Sequence, residues 1–159
     1  MNSSPLQQSC PAGDRARWMS VLARAPAEAL AQRADALPTG HLWLRRPETG
    51  LVMVRGRVGG SGAAFNLGEM SVTRCALRLA DGTVGMAYLR GRAAHQAERA
   101  ALIDALMQQA ARRGEIDLAW ATWIAPLEAR LAEQRGKRAA AAAQTRVEFF
   151  TIVRGEDAP

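Results

Sequence analysis

The stretch MSVTRCALRLADGTVGMAYLR, residues 70–90, decides the fold class of this chain. Its first half alternates with period two, which is the pattern of a half-buried strand. One face carries Thr73, Cys75, Leu77 and Leu79, and the other carries Arg74 and Arg78. Asp81-Gly82 is a two-residue hairpin signal, because both positions accept a positive φ. Residues 83–90 are therefore predicted to return as the antiparallel partner strand, with Val84, Met86 and Tyr88 on one face.

Further strands are predicted on both sides of this hairpin. Residues 51–58 are rich in Val and Leu and predict a strand, and residues 41–46 predict a second, weaker one. Residues 147–153 predict a final strand that carries Phe149 and Phe150. This last strand is expected to rejoin the sheet, because a lone strand cannot satisfy its backbone groups.

Four helices complete the prediction. Asp14 is placed to cap the first, and Pro26 opens a second that runs to residue 37. Residues 95–113 have a strong apolar stripe, and Gly114 ends that helix. A fourth helical region covers residues 116–144, where Pro126 is expected to kink or restart the helix.

This order of elements indicates an α+β fold. We expect an antiparallel sheet of four to five strands with helices packed on it, two of them N-terminal and two before the last strand. The predicted boundaries are a flexible lead at residues 1–13, a single α+β domain at residues 14–155 and a flexible tail at residues 156–159.

Composition bounds the function. The chain has 159 residues, 48% of them hydrophobic, which fits one globular domain. Its formal net charge is +6, but the basic residues are spread along the chain without a run of five or six. A basic nucleic-acid-binding module is therefore the alternative and not the first choice.

The positions of the cysteines and of the apolar residues limit which cofactors and which cellular location are expected for this chain. The two cysteines, Cys10 and Cys75, form no CxxC pair, so neither a zinc site nor an iron–sulfur site is indicated, and no metal is expected. No apolar run approaches the roughly 20 residues that a membrane span needs, and the first residues lack a signal-peptide pattern. These features predict a cytoplasmic protein.

Two segments are candidate phosphate-binding sites. The first is a glycine loop with flanking arginines: Arg55, Arg57, Gly59, Gly60 and Gly62. Glycines let backbone N–H groups approach phosphate oxygens, although this loop is neither a Walker A loop nor a dinucleotide fingerprint, and a mobile hairpin connection explains it as well. The second is Arg90, Arg92 and His95 at the start of a helix, for which a solvated helix start is the alternative.

Other candidates are weaker or concern a partner. Glu48 and Glu69 bracket the central strand, but nothing in the sequence shows that they converge, and Cys75 is most simply a buried hydrophobe. Trp120 and Trp123, together with Phe149 and Phe150, form either core or a surface for docking a partner subunit. No nucleophile–base–orienter set is recognisable, so the catalytic residues are unknown.

An ordered series of motifs is similar to the PhnG family. The series is RWMSVLA at residues 17–23, ETGLV at 48–52, RVGGSG at 57–62, the segments at 73–74 and 81–83, Gly91-Arg92 with His95, AALIDALMQ at 100–108, and VEFFTIVRG at 147–155. The resemblance covers about residues 16–155, in order and with matching spacing, which makes it far more specific than any single glycine motif.

The resemblance implies a non-autonomous subunit of the carbon–phosphorus lyase core complex, together with PhnH, PhnI and PhnJ subunits. That complex displaces adenine from MgATP with an alkylphosphonate and yields ribose 1-phosphonate 5-triphosphate. It implies nucleosidase-like chemistry mainly in PhnI, and an iron–sulfur cluster with S-adenosylmethionine in PhnJ. No catalytic residue of this chain follows from the resemblance.

Overall fold

The computed structural model describes residues 12–32, 36–37, 40–58 and 61–145, with the side chains of residues 12 and 13 left aside. Along the chain the elements are α1 (Ala12–Leu22), α2 (Ala27–Ala31), β1 (Leu42–Arg57), β2 (Ala64–Arg78), β3 (Val84–Arg90), α3 (Ala94–Arg113), α4 (Ile116–Ala119), a π-helical turn (Trp120–Ile124) and α5 (Ala125–Gln144). This is the mixed helix-and-sheet class that the sequence predicts.

The sheet has three antiparallel strands in the order β1-β2-β3, so the prediction of four to five strands was wrong for the described residues. The two strands predicted at residues 41–46 and 51–58 are one strand, β1. Pro47 lies between the two predicted segments, and register shifts lie close to it, between Trp43 and Arg45 and between Arg45 and Glu48. Proline is tolerated at such bulges and on edge strands, so the strand continues through it. The strand predicted at residues 147–153 lies outside the described residues.

The hairpin at residues 70–90 is confirmed, although β2 begins earlier than predicted, at Ala64. Its turn is longer than two residues, because the Leu79 N–H donates to the Thr83 carbonyl over 2.9 Å and encloses residues 80–82. Within this turn only Gly82 has a positive φ, at +87°. The Asp81 carboxylate accepts the Thr83 N–H at 3.0 Å, which fixes the turn and leaves Asp81 in a structural role.

The helices cover one face of the sheet. The alternation along β2 is confirmed, because Thr73, Cys75, Leu77 and Leu79 are all buried. On β3 the face named from the sequence is the outer one, since Met86 and Tyr88 are exposed while Gly85, Ala87 and Leu89 are buried. The core side chains that are almost fully buried include Trp18, Leu30, Leu77, Leu89, Ile103, Met107, Ile124 and Leu127.

Helix boundaries follow the sequence signals with three differences. α1 begins at Ala12, so Asp14 lies within its first turn and is not the cap that the sequence predicts. α3 ends as predicted at Gly114, which has a φ of +74°. α2 is only the five residues Ala27–Ala31, shorter than the helix predicted from Pro26 to residue 37. The region predicted as one helix over residues 116–144 is divided by the π-helical turn, and Pro126 then lies in the first turn of α5. Proline is compatible with a first turn and thus restarts the helix, one of the two outcomes expected.

A buried carboxylate joins α1, α3 and β3. Asp104 of α3 is fully buried, and its oxygens accept from Arg15 Nε at 3.2 Å and Nη2 at 2.9 Å, and from Trp18 Nε1 at 2.9 Å. They also accept the backbone N–H of Met86 at 2.9 Å. One turn on, Gln108 Nε2 donates to the Val84 carbonyl at 2.8 Å. The side chains of α3 therefore satisfy backbone groups on the outer edge of β3, which an edge strand otherwise leaves open.

The hairpin of β1 and β2 projects beyond the third strand. β3 pairs with β2 only from Val72 to Arg78, so residues 51–57 and 64–71 form a two-stranded ribbon, which we call the β1–β2 arm. Four large apolar side chains on it are exposed: Leu51 by 65%, Met53 by 52%, Phe65 by 42% and Leu67 by 65%. No described helix is long and apolar enough to cross a membrane.

Candidate functional site

The first predicted phosphate site lies at the tip of the β1–β2 arm. Arg57 Nη1 donates to the Gly62 carbonyl at 2.8 Å, so this arginine closes the hairpin connection. Arg55 and Arg57 also line an open cavity of about 440 Å³ together with Gly56 and Ala64. Gly59 and Gly60 lie outside the described residues, so their part in this site stays a prediction.

The second predicted site lies where β3 leads into α3, around a rigid turn. Gly91 has a φ of +88°, which favours glycine, and its N–H donates to the Ser71 carbonyl at 2.7 Å. The buried Thr73 hydroxyl donates to the Gly91 carbonyl at 2.7 Å and accepts the Ala93 N–H at 3.0 Å. This turn fixes the backbone on either side of it, including Arg90, the last residue of β3.

The two predicted arginine groups are not brought together. Arg90 pairs with Val72, and Val72 pairs with Gly50. Arg55 lies five residues further along β1, which is roughly 17 Å at the rise of an extended strand. The exposed Arg92 and His95 follow the Gly91 turn and do not line the pocket that contains Arg90. Any phosphate site thus has to be sought at one end of the sheet or the other.

Arg90 lines a pocket that was not predicted from the sequence. This pocket has a volume of about 560 Å³ and lies between the α1–α2 connection, the end of β3, α3 and α5. Its polar lining is Arg24, Arg90, Gln96, Gln134, Arg135 and Arg138. We call it the arginine pocket. Arg135 and Arg138 are three residues apart on α5 and therefore share a helix face.

The charged side chains that line the arginine pocket are all positive. Among the described residues that line it are four arginines and no acidic residue. Arg24 is held in place by Ser20, with Nε donating to the carbonyl at 2.8 Å and Nη2 to the hydroxyl at 2.9 Å. Within the part of the chain that the structure describes, neither Arg90 nor Arg135 nor Arg138 has a carboxylate partner. Like charges that share a cavity repel, and an anion placed between them relieves that repulsion.

Sequence reasoning missed most of this pocket for a simple reason. Arg90 was singled out, but Arg24, Arg135 and Arg138 come from segments far apart along the chain. The one available signal was the Gln134-Arg135 pair followed by Arg138 on a helix face with few apolar residues. That pattern is also typical of an ordinary solvated helix face, so only the packing of α5 beside β3 distinguishes the two.

The predicted docking residues have different outcomes. Trp120 is partly buried, and the Arg17 guanidinium lies over its ring at 4.4 Å from the centroid. Trp123 is also partly buried and borders a groove that contains Leu118. Both tryptophans thus pack on the edge of the core, and a role in docking stays a prediction. Phe149 and Phe150 lie outside the described residues.

The carboxylates considered for acid–base chemistry lie apart. Glu48 accepts from Arg74 Nε at 2.7 Å and from Arg45 Nη1 at 3.0 Å. The hydrogen bond from Arg74 is the main cause that lowers the pKa of Glu48 below its ordinary value, so this carboxyl is a poor proton donor near neutral pH. Glu69 pairs with Met53, further out on the β1–β2 arm. The two groups do not form a catalytic pair.

Cys75 is a buried structural thiol, as predicted. Burial is the main cause that raises its pKa to about 11, and the charge of Glu98 adds to it. The thiolate is the reactive form, so this side chain is not an activated nucleophile. In the described residues, no group of three or more His, Cys, Asp or Glu side chains is arranged to hold a metal ion.

We expect Cys75 to react slowly with Ellman's reagent in the folded protein. At pH 8 a pKa near 11 leaves roughly 100-fold less thiolate than an ordinary thiol, and higher intrinsic nucleophilicity offsets about tenfold of that loss. The measurement uses a Cys10→Ser variant, so that one thiol reports. The native protein should react at least about tenfold more slowly than the same protein in urea. Equal rates would show that Cys75 is accessible.

Comparisons with known proteins agree on one family. The family model described as "Phosphonate metabolism protein PhnG" matches residues 13–155. A protein of Rhizobium meliloti (strain 1021), named "Alpha-D-ribose 1-methylphosphonate 5-triphosphate synthase subunit PhnG", is 42% identical over 159 residues, and the match covers 99% of each chain.

Proposed function

Because this chain belongs to the PhnG family of phosphonate metabolism proteins, we propose that it is a non-autonomous subunit of an alpha-D-ribose 1-methylphosphonate 5-triphosphate synthase in phosphonate catabolism. The name of the Rhizobium meliloti relative supports this assignment, since the match runs over nearly the whole of both chains. A subunit of that length can occupy the same place in a similar complex.

The proposed reaction of the complex is the displacement of adenine from MgATP by an alkylphosphonate, which gives ribose 1-phosphonate 5-triphosphate. We propose PhnI-, PhnJ- and PhnH-like subunits as partners, with most catalytic residues in them. The iron–sulfur cluster and S-adenosylmethionine are assigned to the PhnJ-like partner. The separation of Glu48 from Glu69 and the raised pKa of Cys75 support this division of labour. A cytoplasmic location goes with this proposal.

The observation that carries the non-autonomous role is the exposed β1–β2 arm. An isolated two-stranded hairpin is marginally stable in water, and this one extends past the strand and helices that support the rest of the sheet. Its exposed apolar side chains gain roughly 1.5–3 kcal/mol each when they are fully buried. A partner subunit that covers the arm would thus stabilise both itself and the arm.

The two faces of the arm set what the partner must offer. Leu51 and Met53 alternate along β1 onto the same face as Arg55 and Arg57. On the other face, a Cβ at Gly56 would lie 3.8 Å from Leu67 Cδ2, so Leu67 packs over this glycine. A partner that fits the arm therefore presents apolar surface to Leu51 on one face and to Leu67 on the other. It presents hydrogen-bond acceptors to Arg55 and Arg57 at the tip.

We expect a Leu51→Ser/Leu67→Ser double variant to fold normally but to assemble poorly. Both side chains are exposed in the isolated chain, so its unfolding midpoint should change little. Affinity for the purified PhnI-like subunit should fall at least about tenfold, because two apolar anchors leave the interface. Titration of a labelled chain with that subunit measures the affinity, and circular dichroism checks the fold.

Leu118→Ser is the matched control, because Leu118 is 71% exposed but lies on α4, beside Trp123 and away from the arm. It should leave assembly unchanged. Loss of assembly in this variant with none in the arm variant would move the docking surface to the Trp120–Trp123 region. A chain that carries out the synthase reaction without partners would contradict the non-autonomous role itself.

A further inference from the structure

We propose that the arginine pocket is a binding site for a compact polyphosphate anion of the triphosphate class. Its cavity of about 560 Å³ admits such a group, and its four arginines supply the opposite charge. The preference for a compact polyanion follows from the pocket alone. The further step, that this anion is the triphosphate of the synthase substrate or product, rests on the proposed function.

The positions of the arginines favour one multiply charged ligand over several separate ones. Arg24 follows α1, Arg90 ends β3, and Arg135 and Arg138 lie on α5, so they approach a single cavity from three elements. A guanidinium carries several N–H donors in a planar fork, which suits the oxygens of a phosphate group. A single phosphate cannot satisfy donors that surround a cavity of this size, whereas a triphosphate presents oxygens along its length.

Several contacts hold the pocket ready for a ligand. The bonds to Ser20 fix the Arg24 guanidinium, which reduces the entropy lost on binding. Gln96 Nε2 donates to the Ala25 carbonyl at 2.7 Å, which ties α3 to the α1–α2 connection at the rim. The Thr73–Gly91 hydrogen bond fixes the turn directly after Arg90. The backbone next to Arg90 is thus held by partly buried hydrogen bonds, while Arg90 itself is exposed.

The neighbouring charges on α5 do not neutralise the pocket. Glu128 is bonded to Arg17 through both of its oxygens at 3.1 Å, and Glu133 is bonded to Lys137 at 2.6 Å. Both acidic residues of α5, Glu128 and Glu133, are thus paired with basic residues that do not line the pocket. The arginines of the pocket keep their charge available for an incoming anion.

The test is calorimetric titration of the full-length chain at low ionic strength with inorganic tripolyphosphate, and separately with ATP and orthophosphate. We expect tripolyphosphate and ATP to bind with similar affinity, orthophosphate to bind more weakly, and added salt to weaken all three. Similar affinity for the first two identifies the triphosphate as the recognised group. Much tighter binding of ATP would show that the nucleoside also contributes, and would refine the ligand to a nucleotide.

The decisive comparison uses two double variants with the same charge change. Arg135→Ala/Arg138→Ala removes two arginines of the pocket, and Arg78→Ala/Arg113→Ala removes two exposed arginines elsewhere. The first should raise the dissociation constant for tripolyphosphate at least about tenfold, since hydrogen bonds to charged groups are lost. The second should change it less than threefold. Equal losses in both would reduce the effect to net charge and overturn the proposal.

Two further outcomes would also overturn it. One is an absence of tripolyphosphate binding at low salt. The other is tighter binding of a single-stranded oligonucleotide than of ATP, with the same dependence on Arg135 and Arg138, which would make the pocket part of a nucleic-acid surface. Assembly with the PhnI-like subunit is measured on the same variants. A pocket variant that loses tripolyphosphate but still assembles keeps this inference separate from the proposed function.

Discussion

Replacing Asp104 with alanine is expected to lower the free energy of unfolding by about 3–5 kcal/mol. The carboxylate is fully buried and accepts hydrogen bonds from Arg15, Trp18 and the Met86 N–H. Removing it leaves these donors without their acceptor, and each unsatisfied buried group adds to the cost. Urea-induced unfolding measures the change, and the thermal midpoint should fall by roughly 2–4 °C per kcal/mol.

Two further variants define what Asp104 does. Asp104→Asn keeps the shape but turns one acceptor into a donor that faces other donors, so its loss should lie between the wild type and Asp104→Ala. Asp117→Ala is the control, because Asp117 is an exposed acid on α4, and its effect should stay within about 0.5 kcal/mol. If Asp104→Ala lowers the stability by less than about 1 kcal/mol, the carboxylate does not join α1, β3 and α3.

Replacing Gly85 with alanine is expected to cost about 3 kcal/mol, at the upper end of the range for overpacking. The reason is space and not backbone conformation, since Gly85 is not among the described glycines with a positive φ. A Cβ at Gly85 would collide with the Ala101 carbonyl oxygen and would lie 3.0 Å from Ala105 Cβ. The obstacle is the backbone of α3, which cannot rotate away, so β3 and α3 would have to separate.

Gly136→Ala is the matched control for this substitution. Gly136 lies inside α5, and a Cβ there would meet nothing within 4 Å. Alanine should therefore stabilise the protein by roughly 0.5–1 kcal/mol, because glycine is unfavourable in the middle of a helix. Opposite signs for the two substitutions are expected in thermal or urea unfolding. An unchanged midpoint for Gly85→Ala would mean that β3 and α3 lie further apart.

Local patterns predicted the elements whose signals lie within one segment. The period-two alternation around Cys75 fixed the face of β2, and Gly114 fixed the end of α3. The strand count was wrong because residues 41–46 and 51–58 were interpreted as two strands, whereas one edge strand with register shifts runs through Pro47 between them. The burial of Asp104 could not be predicted from the sequence either. An acidic residue within an apolar stripe does not indicate that Arg15 and Trp18 lie close to it in the fold.

The candidate site was less predictable than the fold. Arg90 was identified because it stands beside a glycine turn at a helix start, but its companions in the arginine pocket lie on α5 and after α1. A local motif reports on residues within a few positions of each other, while this pocket depends on which helix packs beside β3. The glycine loop was predicted as a phosphate site because its composition is distinctive. In the structure, Arg57 donates to the Gly62 carbonyl and so closes the hairpin connection.

The π-helical turn at Trp120–Ile124 sets the angular phase of all that follows it. Each residue of an α-helix advances the chain by about 100°, and a π-helical turn holds one residue more than an ordinary turn. If the same residues wound as a regular α-helix without the π-helical turn, the downstream face of α5 would point about 100° away from its present direction. Arg135 and Arg138 would then lie on a different side of the helix from the cavity that they now line.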